Sequence, residues 1–196
     1  MKNLLGLLVA GIMFLSTAQA NAATITFDDI TTDPVASIDG VNYAGFQWHN
    51  LQVVNKDSIS DPLSGLVNGV VSGKYSAQRV NSLFPSIMME SSGDFLFNGG
   101  YFTSTILGSS ELFIKGYNNG SLVFTESVNI NNLVPTLVSG LESHGLVDKV
   151  TFDNGPSCNV VMDNISYSTP VPEPGTAVMG LMGLMGLATR KKLKLA

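Results

Sequence analysis

Residues 111–128 read ELFIKGYNNGSLVFTESV, and this stretch decides the fold class. Asn119-Gly120 is a strong signal for a two-residue turn, because both central positions of a type I′ turn need a positive φ. In the arm before the turn, Leu112 and Ile114 fall on one face of a strand, since alternate residues of a strand point the same way. The stretch therefore predicts a β-hairpin.

Short runs of the β type continue on both sides of this hairpin. In its second arm, Leu122, Phe124 and Val128 are predicted to lie on one face. The other runs are rich in Val, Ile, Phe, Tyr and Thr, and Gly, Asn, Asp, Ser or Pro separates them. Many short strands at regular spacing predict an all-β fold, a jelly-roll-type β-sandwich.

The first 22 residues have the order of a secretory signal peptide. Lys2 supplies the positive flank, and residues 4–15 form an apolar run shorter than the about 20 residues that span a bilayer. Two A-x-A cleavage sites follow, ending at Ala20 and at Ala22. A buried N-terminal helix is the alternative, but such a helix would not need these sites. Residues 1–22 are therefore predicted to be a signal peptide helix.

The last residues, 170–196, combine three features in a fixed order. A proline-rich motif comes first, and its prolines exclude a helix interior. A charge-free apolar run over 175–189 then predicts a short transmembrane helix, about 22 Å long at 1.5 Å per residue. A basic cluster follows, which the positive-inside rule places on the cytoplasmic side. The motif is Val171, Pro172, Glu173 and Pro174, and the basic cluster is Arg190, Lys191, Lys192 and Lys194.

This tail resembles the PEP-CTERM sorting signal of proteins exported by Gram-negative bacteria. The resemblance implies cleavage near the motif by exosortase, an integral-membrane, transpeptidase-like enzyme. It implies transient anchoring in the inner membrane, followed by release or attachment at the cell surface. Proteins with this signal are linked to extracellular polysaccharide and biofilm formation. An ordinary single-span tail anchor is the alternative interpretation.

Residues 23–169 are predicted to form one domain between these ends. They carry five basic and fourteen acidic residues, so their net charge is near −9. Such a surface repels phosphate backbones, which argues against a nucleic-acid partner. Cys158 is the only cysteine, so no disulfide can form within the chain.

Five short motifs occur in order between residues 25 and 165. They read ITFDD (25–29), YxGFxWxN (43–50), GYNNG (116–120), VxxVxF (147–152) and VMDNI (161–165). Together they resemble the jelly-roll domains of many PEP-CTERM proteins, which are similar to galactose-binding-like carbohydrate-binding modules. The resemblance implies a non-catalytic protein that binds or organises extracellular polysaccharide. The alternatives are a structural or adhesion protein without a sugar site, and a hydrolase of matrix polysaccharide.

One aspartate is predicted to lie on the apolar face of a strand. In VVMDNISY, period-two alternation places Asp163 on one face with Val161, Ile165 and Tyr167. The same alternation places Asp29 on the apolar face of ITFDDI. A carboxylate on an apolar face is costly unless it is paired, hydrogen-bonded or bound to a metal.

The resemblance to jelly-roll modules implies a partner for these carboxylates. In such modules the first and last strands lie together, and their carboxylates can hold a structural Ca²⁺, which takes six to eight oxygen ligands. The candidate ligands are Asp28, Asp29, Asp163 and Asn164. The alternative is that these side chains stabilise strand ends or turns.

Three aromatic residues are candidates for stacking on a sugar ring. Tyr43, Trp48 and Tyr117 are predicted to bind ligand, although a single tryptophan in a sandwich also suits the core. The chain has two histidines, His49 and His144, and lacks a G-x-S-x-G motif, so we do not predict an enzyme.

Overall fold

The computed structural model describes residues 21–80, 84, 86–105, 107–155 and 159–170, and within them the chain is almost entirely β. One short helix, α1 (Gly65–Asn68), and two 3₁₀ helices, Lys56–Ser58 and Leu141–His144, interrupt the strands. The strands are β1 (Asn21–Ile25), β2 (Val35–Ser37), β3 (Asn42–Tyr43), β4 (Phe46–His49), β5 (Leu51–Asn55), β6 (Tyr75–Arg79), β7 (Ser86–Ser104), β8 (Ser109–Asn118), β9 (Ser121–Asn131), β10 (Thr136–Ser139), β11 (Val147–Asp153) and β12 (Val160–Thr169).

Two sheets share the long strand β7. Its C-terminal half pairs with β12 and β10, so sheet A has the order β2-β5-β6-β12-β7-β10, with β1 also paired to β12. Its N-terminal half pairs with β4 and β11, so sheet B has the order β3-β4-β7-β11-β8-β9. β7 bulges between Glu90 and Phe95, whose partners Lys149 and Val147 are only two residues apart. The bulge bends β7 from one sheet into the other.

The inner faces of the two sheets meet in one hydrophobic core. Phe152 of sheet B lies between Phe97 and Phe102 of sheet A, with ring centroids 5.7 Å apart in both pairs. Residues Ala22–Thr169 form one compact unit around this core. The predicted all-β sandwich is confirmed. The bulkiest fully buried side chains are Trp48, Phe27, Phe95, Phe97, Phe102 and Phe152.

The hairpin of β8 and β9 has the predicted turn. Asn118 pairs with Ser121, which leaves Asn119 and Gly120 as the two turn residues, with φ of 48° and 78°. Both values are positive, as a type I′ turn requires.

One face of this hairpin differs from the prediction. Gly116 pairs with Phe124, whereas its neighbour Tyr117 pairs with Leu122, so β9 has one extra residue at Val123. This β-bulge reverses the alternation. Phe124 is buried in the core, whereas Leu122 is 57% exposed on the opposite face. The prediction that both share a face is therefore wrong.

The predicted signal peptide helix (1–22) lies outside the described residues except for Asn21 and Ala22, which belong to β1. The predicted tail helix (175–189) and Cys158 also lie outside the described residues. β1 begins at Asn21, so the cleavage site predicted at Ala22 lies inside this strand, and the site at Ala20 lies just before it. Where the chain is described, it contains no helix long and apolar enough to cross a membrane. The domain boundaries at 22/23 and 169/170 stay predictions.

Candidate functional site

Part of the outer face of sheet A is covered by residues 65–74, which comprise α1 and the loop after it and are named the covering segment here. α1 lies directly on the sheet, because a Cβ at Gly65 would overlap the carbonyl of Ser104. At the other end of α1, a Cβ at Gly69 would lie 2.8 Å from the Val161 side chain. The missing side chains of these glycines therefore allow the helix to approach the strands closely.

Asp163 points outward from sheet A beneath the covering segment. A β-bulge follows it, because Asp163 and Ser166 of β12 pair with Tyr101 and Gly99 of β7, and Asn164 has a φ of 50°. The bulge reverses the alternation of β12. As a result, Ile165 lies in the core whereas Asp163 faces away from it.

This arrangement corrects the predicted face of β12. Ile165 and Tyr167 contact the hydrophobic core, and Val161 contacts α1 instead. The carboxylate of Asp163 therefore does not share the apolar face of Ile165 and Tyr167. The period-two rule was wrong here because one inserted residue shifts every following side chain to the other face.

Backbone amides hold the buried Asp163 carboxylate. One oxygen accepts hydrogen bonds from the N–H groups of Val71 (2.7 Å) and Ser72 (3.0 Å), and the other accepts from the N–H of Asn164 (2.7 Å). Burial raises the pKa of Asp163 to about 6, against the opposing effect of these hydrogen bonds. The loss of hydration therefore outweighs the donated hydrogen bonds.

The same loop holds Asp28. An oxygen of its carboxylate accepts from the N–H groups of Lys74 (2.7 Å) and Tyr75 (3.1 Å). Gly73 lies against this carboxylate with a φ of 57°, and a Cβ at Gly73 would overlap it. Two carboxylates from opposite ends of the chain therefore hold the covering segment, as the alternative interpretation of these aspartates expects.

Asp29 does not belong to this group. Its carboxylate accepts the hydroxyl of Tyr43 at 2.5 Å, and burial together with this bond raises the pKa of Tyr43. Asp29 is exposed, because β1 ends at Ile25 and Phe27 has a φ of 63°, so the alternation predicted for this stretch is wrong.

The predicted calcium ligands are only partly brought together. Asp163 and Asn164 meet the covering segment at Ser72, whose hydroxyl donates to the Asn164 side chain at 2.7 Å. Within the described part of the chain, no group of three or more His, Cys, Asp or Glu residues is placed to hold a metal ion. Calcium binding at Asp28, Asp29, Asp163 and Asn164 stays a prediction.

The three predicted sugar-stacking residues do not form one surface. Trp48 is fully buried in the core, and its indole N–H donates to the backbone oxygen of Tyr43. Its assignment to a ligand platform is therefore corrected, because neither ring face reaches solvent. Tyr43 packs beside Phe27, whereas Tyr117 lies on the open outer face of sheet B beneath Lys149.

The two histidines have different surroundings. The His49 ring lies 3.9 Å from the carboxylate of Glu90, and His144 stacks on Phe124 with the ring centroids 5.0 Å apart. No hydrogen bond joins either histidine to a serine within the described residues.

Beside the Asp163 site, the outer face of sheet A forms a groove over Gly99 and Gly100. Gly99 pairs with Ser139 on one side and with Ser166 on the other. Gly99 has a φ of 134°, and a Cβ there would overlap the carbonyl oxygen of Val138. The close approach of β10 to β7 thus leaves a floor without side chains.

The walls of this groove combine an aromatic ring with hydrogen-bonding groups. Its volume is about 360 Å³, which lies within the size range of small-molecule sites. The half-exposed Tyr101 and the exposed Leu137 pair with each other at one end. The polar groups around it are Thr24, Asn98, Ser139, Glu142, Asn164 and Ser166. These residues, together with Gly99, Gly100, Tyr101 and Leu137, are named the glycine groove.

Sequence reasoning singled out Asn164 but missed the rest of this groove. The available signal was Gly99-Gly100 inside a strand-like run, since glycine within a strand often marks a close approach of backbone or ligand. The walls could not be found in this way, because Glu142 lies far from Asn98 in the chain.

Comparisons with solved structures concern the fold. A DUF4465 family protein from Bacteroides caccae superposes with a TM-score of 0.52 at 11% identity, covering 75% of this chain and 98% of that one. An agarase superposes with a TM-score of 0.40 at 11% identity, over 80% of this chain and 26% of that one. A mutant of the family 29 carbohydrate-binding module CBM29-2 gives 0.33 at 13% identity, over 78% and 94%. The superpositions on the agarase and on CBM29-2, with TM-scores of 0.40 and 0.33, support no inference about ligands.

No curated protein matches this chain significantly. The model of the PEP-CTERM protein-sorting motif matches residues 170–192, which include the predicted Val171-Pro172-Glu173-Pro174 motif and most of the basic cluster. The chain therefore carries a PEP-CTERM sorting motif, which implies an exported protein that exosortase sorts and that is transiently anchored in the membrane.

Proposed function

We propose that this exported protein binds extracellular polysaccharide in the glycine groove and catalyses no reaction on it. The observation that supports this proposal is the composition of the groove. It has a glycine floor, one tyrosine ring, and amide, hydroxyl and carboxylate groups around them. Sugar rings offer C–H surfaces that pack on aromatic rings and hydroxyls that hydrogen-bond to such polar groups.

The polar groups of the groove differ in how firmly they are held. Asn98 donates to Ser168 at 2.8 Å and accepts from the same hydroxyl, so its amide is oriented before a ligand arrives. Asn164 is oriented by the hydroxyl of Ser72. Such preorganisation lowers the entropy cost of binding. Ser139 and Glu142 are exposed at the rim, where they can adapt to the ligand.

The test is retention of the full chain, in mild detergent, on the neutral polysaccharide fraction of the producing bacterium. Tyr101→Ala is expected to weaken retention by about tenfold, because it removes the ring of the groove. Phe84→Ala is the matched control, since Phe84 is also aromatic and is 62% exposed outside the groove. It should be retained like the wild type.

The alternatives predict other results. A structural or adhesion protein without a sugar site would show no retention of the wild type. A matrix hydrolase would release reducing sugar from the same fraction. Either result would overturn the proposal, and so would equal retention of wild type and Tyr101→Ala.

A further inference from the structure

The outer face of sheet B carries a different chemistry from that of the glycine groove. The register of β8 with β11 pairs Tyr117 with Lys149 and Lys115 with Thr151. Phe113 lies two residues before Lys115 and therefore points the same way. All five side chains are partly exposed. These residues, Phe113, Lys115, Tyr117, Lys149 and Thr151, are named the lysine face.

Each lysine of this face lies over an aromatic ring. The ammonium of Lys149 is 5.2 Å from the centroid of the Tyr117 ring, and that of Lys115 is 5.9 Å from the centroid of the Phe113 ring. Both distances are within the range of a cation–π contact. No carboxylate of the described residues lies within ion-pair distance of either ammonium. Their positive charges are therefore not neutralised by an acidic neighbour.

The other basic residues between 23 and 169 are engaged differently. Lys74 forms an ion pair with Asp57 at 2.7 Å, and Lys56 donates to the backbone oxygen of Gly73. Arg79 is buried. The lysine face thus holds two partly exposed cations that have no carboxylate partner among the described residues, on a domain whose net charge is strongly negative.

Three acidic residues border the lysine face. Glu111 lies two residues before Phe113 on β8, points the same way and is exposed. Glu90 lies opposite Lys149 in the sheet, but its carboxylate is directed to His49 at 3.9 Å. Asp153 lies opposite Phe113 and accepts the N–H of Gly155. The three carboxylates limit the positive field to the centre of the face, which favours a ligand with separated negative charges over a dense polyanion.

We propose that the lysine face binds a polysaccharide containing uronic acids. The two rings lie four residues apart on β8, about 13 Å along the strand, so they can contact different sugars of one chain. A uronic acid offers a C–H face for each ring and a carboxylate for the adjacent ammonium. An ammonium that already lies over a ring can bind this carboxylate without losing its aromatic contact.

This inference does not depend on the glycine groove, because the two surfaces belong to different sheets. The probe is a hexamer of galacturonic acid, and the measurement is its affinity for the full chain in mild detergent. The double variant Lys115→Gln, Lys149→Gln is expected to weaken binding by about tenfold or more. Added salt should weaken binding of the wild type, because exposed charges are screened.

The matched control is the double variant Lys56→Gln, Lys74→Gln, which changes the net charge equally. It should bind the hexamer like the wild type, and so should the groove variant Tyr101→Ala. Absence of hexamer binding by the wild type would overturn the inference. Equal loss in both double variants would also overturn it, since only net charge would then matter. Loss in Tyr101→Ala alone would place the acidic ligand in the groove instead.

Discussion

The charged side chains on the outer faces of the two sheets differ in burial and in their partners. On sheet A, the covering segment buries the carboxylate of Asp163, which then needs three backbone N–H donors. On sheet B, Lys115 and Lys149 remain partly exposed, and their ammonium groups lie over aromatic rings. Burial makes a charge costly and fixes its partners, whereas exposure leaves the charge available to a ligand. The covered face thus fixes the partners of its charged group, whereas the open face leaves its charged groups accessible to solvent.

The largest expected effect tests how closely the strands approach at the groove. Gly99→Ala places a Cβ against the Val138 carbonyl at a φ of 134°, so we expect a loss of about 3 kcal/mol in the free energy of unfolding. Gly93→Ala is the control, because a Cβ there meets no atom within 4 Å. Urea denaturation of the two variants measures the difference. Equal stability of the two variants would show that β10 can move away from β7 to make room for the Cβ without loss of stability.

The second prediction concerns the charge buried on sheet A. Folding raises the pKa of Asp163 from 3.8 to about 6, so the folded state binds this proton more tightly. Its contribution to stability is fully present below the unfolded pKa and is lost as the pH rises through 6. From pH 4 to pH 7, the wild type should lose about 2 kcal/mol relative to Asp163→Asn. Urea denaturation of both proteins across this range measures it. If the difference in the free energy of unfolding between the wild type and Asp163→Asn does not change with pH, the proposed cost of burying the Asp163 carboxylate is contradicted.

A third prediction separates backbone strain from steric overlap, at the end of sheet B. Gly120→Ala keeps the positive φ of 78° but meets no atom within 4 Å, so the expected loss is about 1 kcal/mol. Thermal unfolding compared with Gly99→Ala measures the ratio. If Gly120→Ala loses as much stability as Gly99→Ala, backbone strain alone accounts for both losses.

The smallest expected effect is that of calcium on the covered face. The oxygens of Asp163 already accept three N–H groups, so exchange of calcium for a chelator should change the melting temperature by about 2 °C or less. A larger stabilisation that disappears in Asp163→Ala would instead support a structural calcium ion. Asp29→Ala is the control, since its carboxylate lies on Tyr43 outside this group.

The fold was predictable from local signals, but the face of the sheet on which a given side chain lies was not. Asn119 and Gly120 report their turn directly, because few residue pairs tolerate two positive φ values. By contrast, the bulges at Val123 and after Asp163 depend on which residues the partner strand offers. Each bulge moved side chains to the face opposite the one predicted, as Leu122 and Ile165 show.

Little of the candidate site was predictable. Asp163 was recognised because a carboxylate in an apolar strand needs a partner, whereas Asn164 was named only through the resemblance to jelly-roll modules. The partner proved to be the backbone of Val71 and Ser72, more than ninety residues earlier in the chain. Almost every residue type has a backbone N–H group, so the residue types of the covering segment do not predict this contact. The lysine face escaped notice for a similar reason, since Lys149 and Tyr117 become neighbours only through strand register.

Strand β7 has a consequence for how the molecule comes apart. Because its two halves are interior strands of sheet A and sheet B, neither sheet can lose β7 without disturbing the pairing of the other sheet next to it. A state with one sheet intact and the other melted would keep half of a continuous strand ordered beside an exposed core. The sandwich should therefore unfold as one cooperative unit, with the slowest-exchanging amides of both sheets opening at the same free energy.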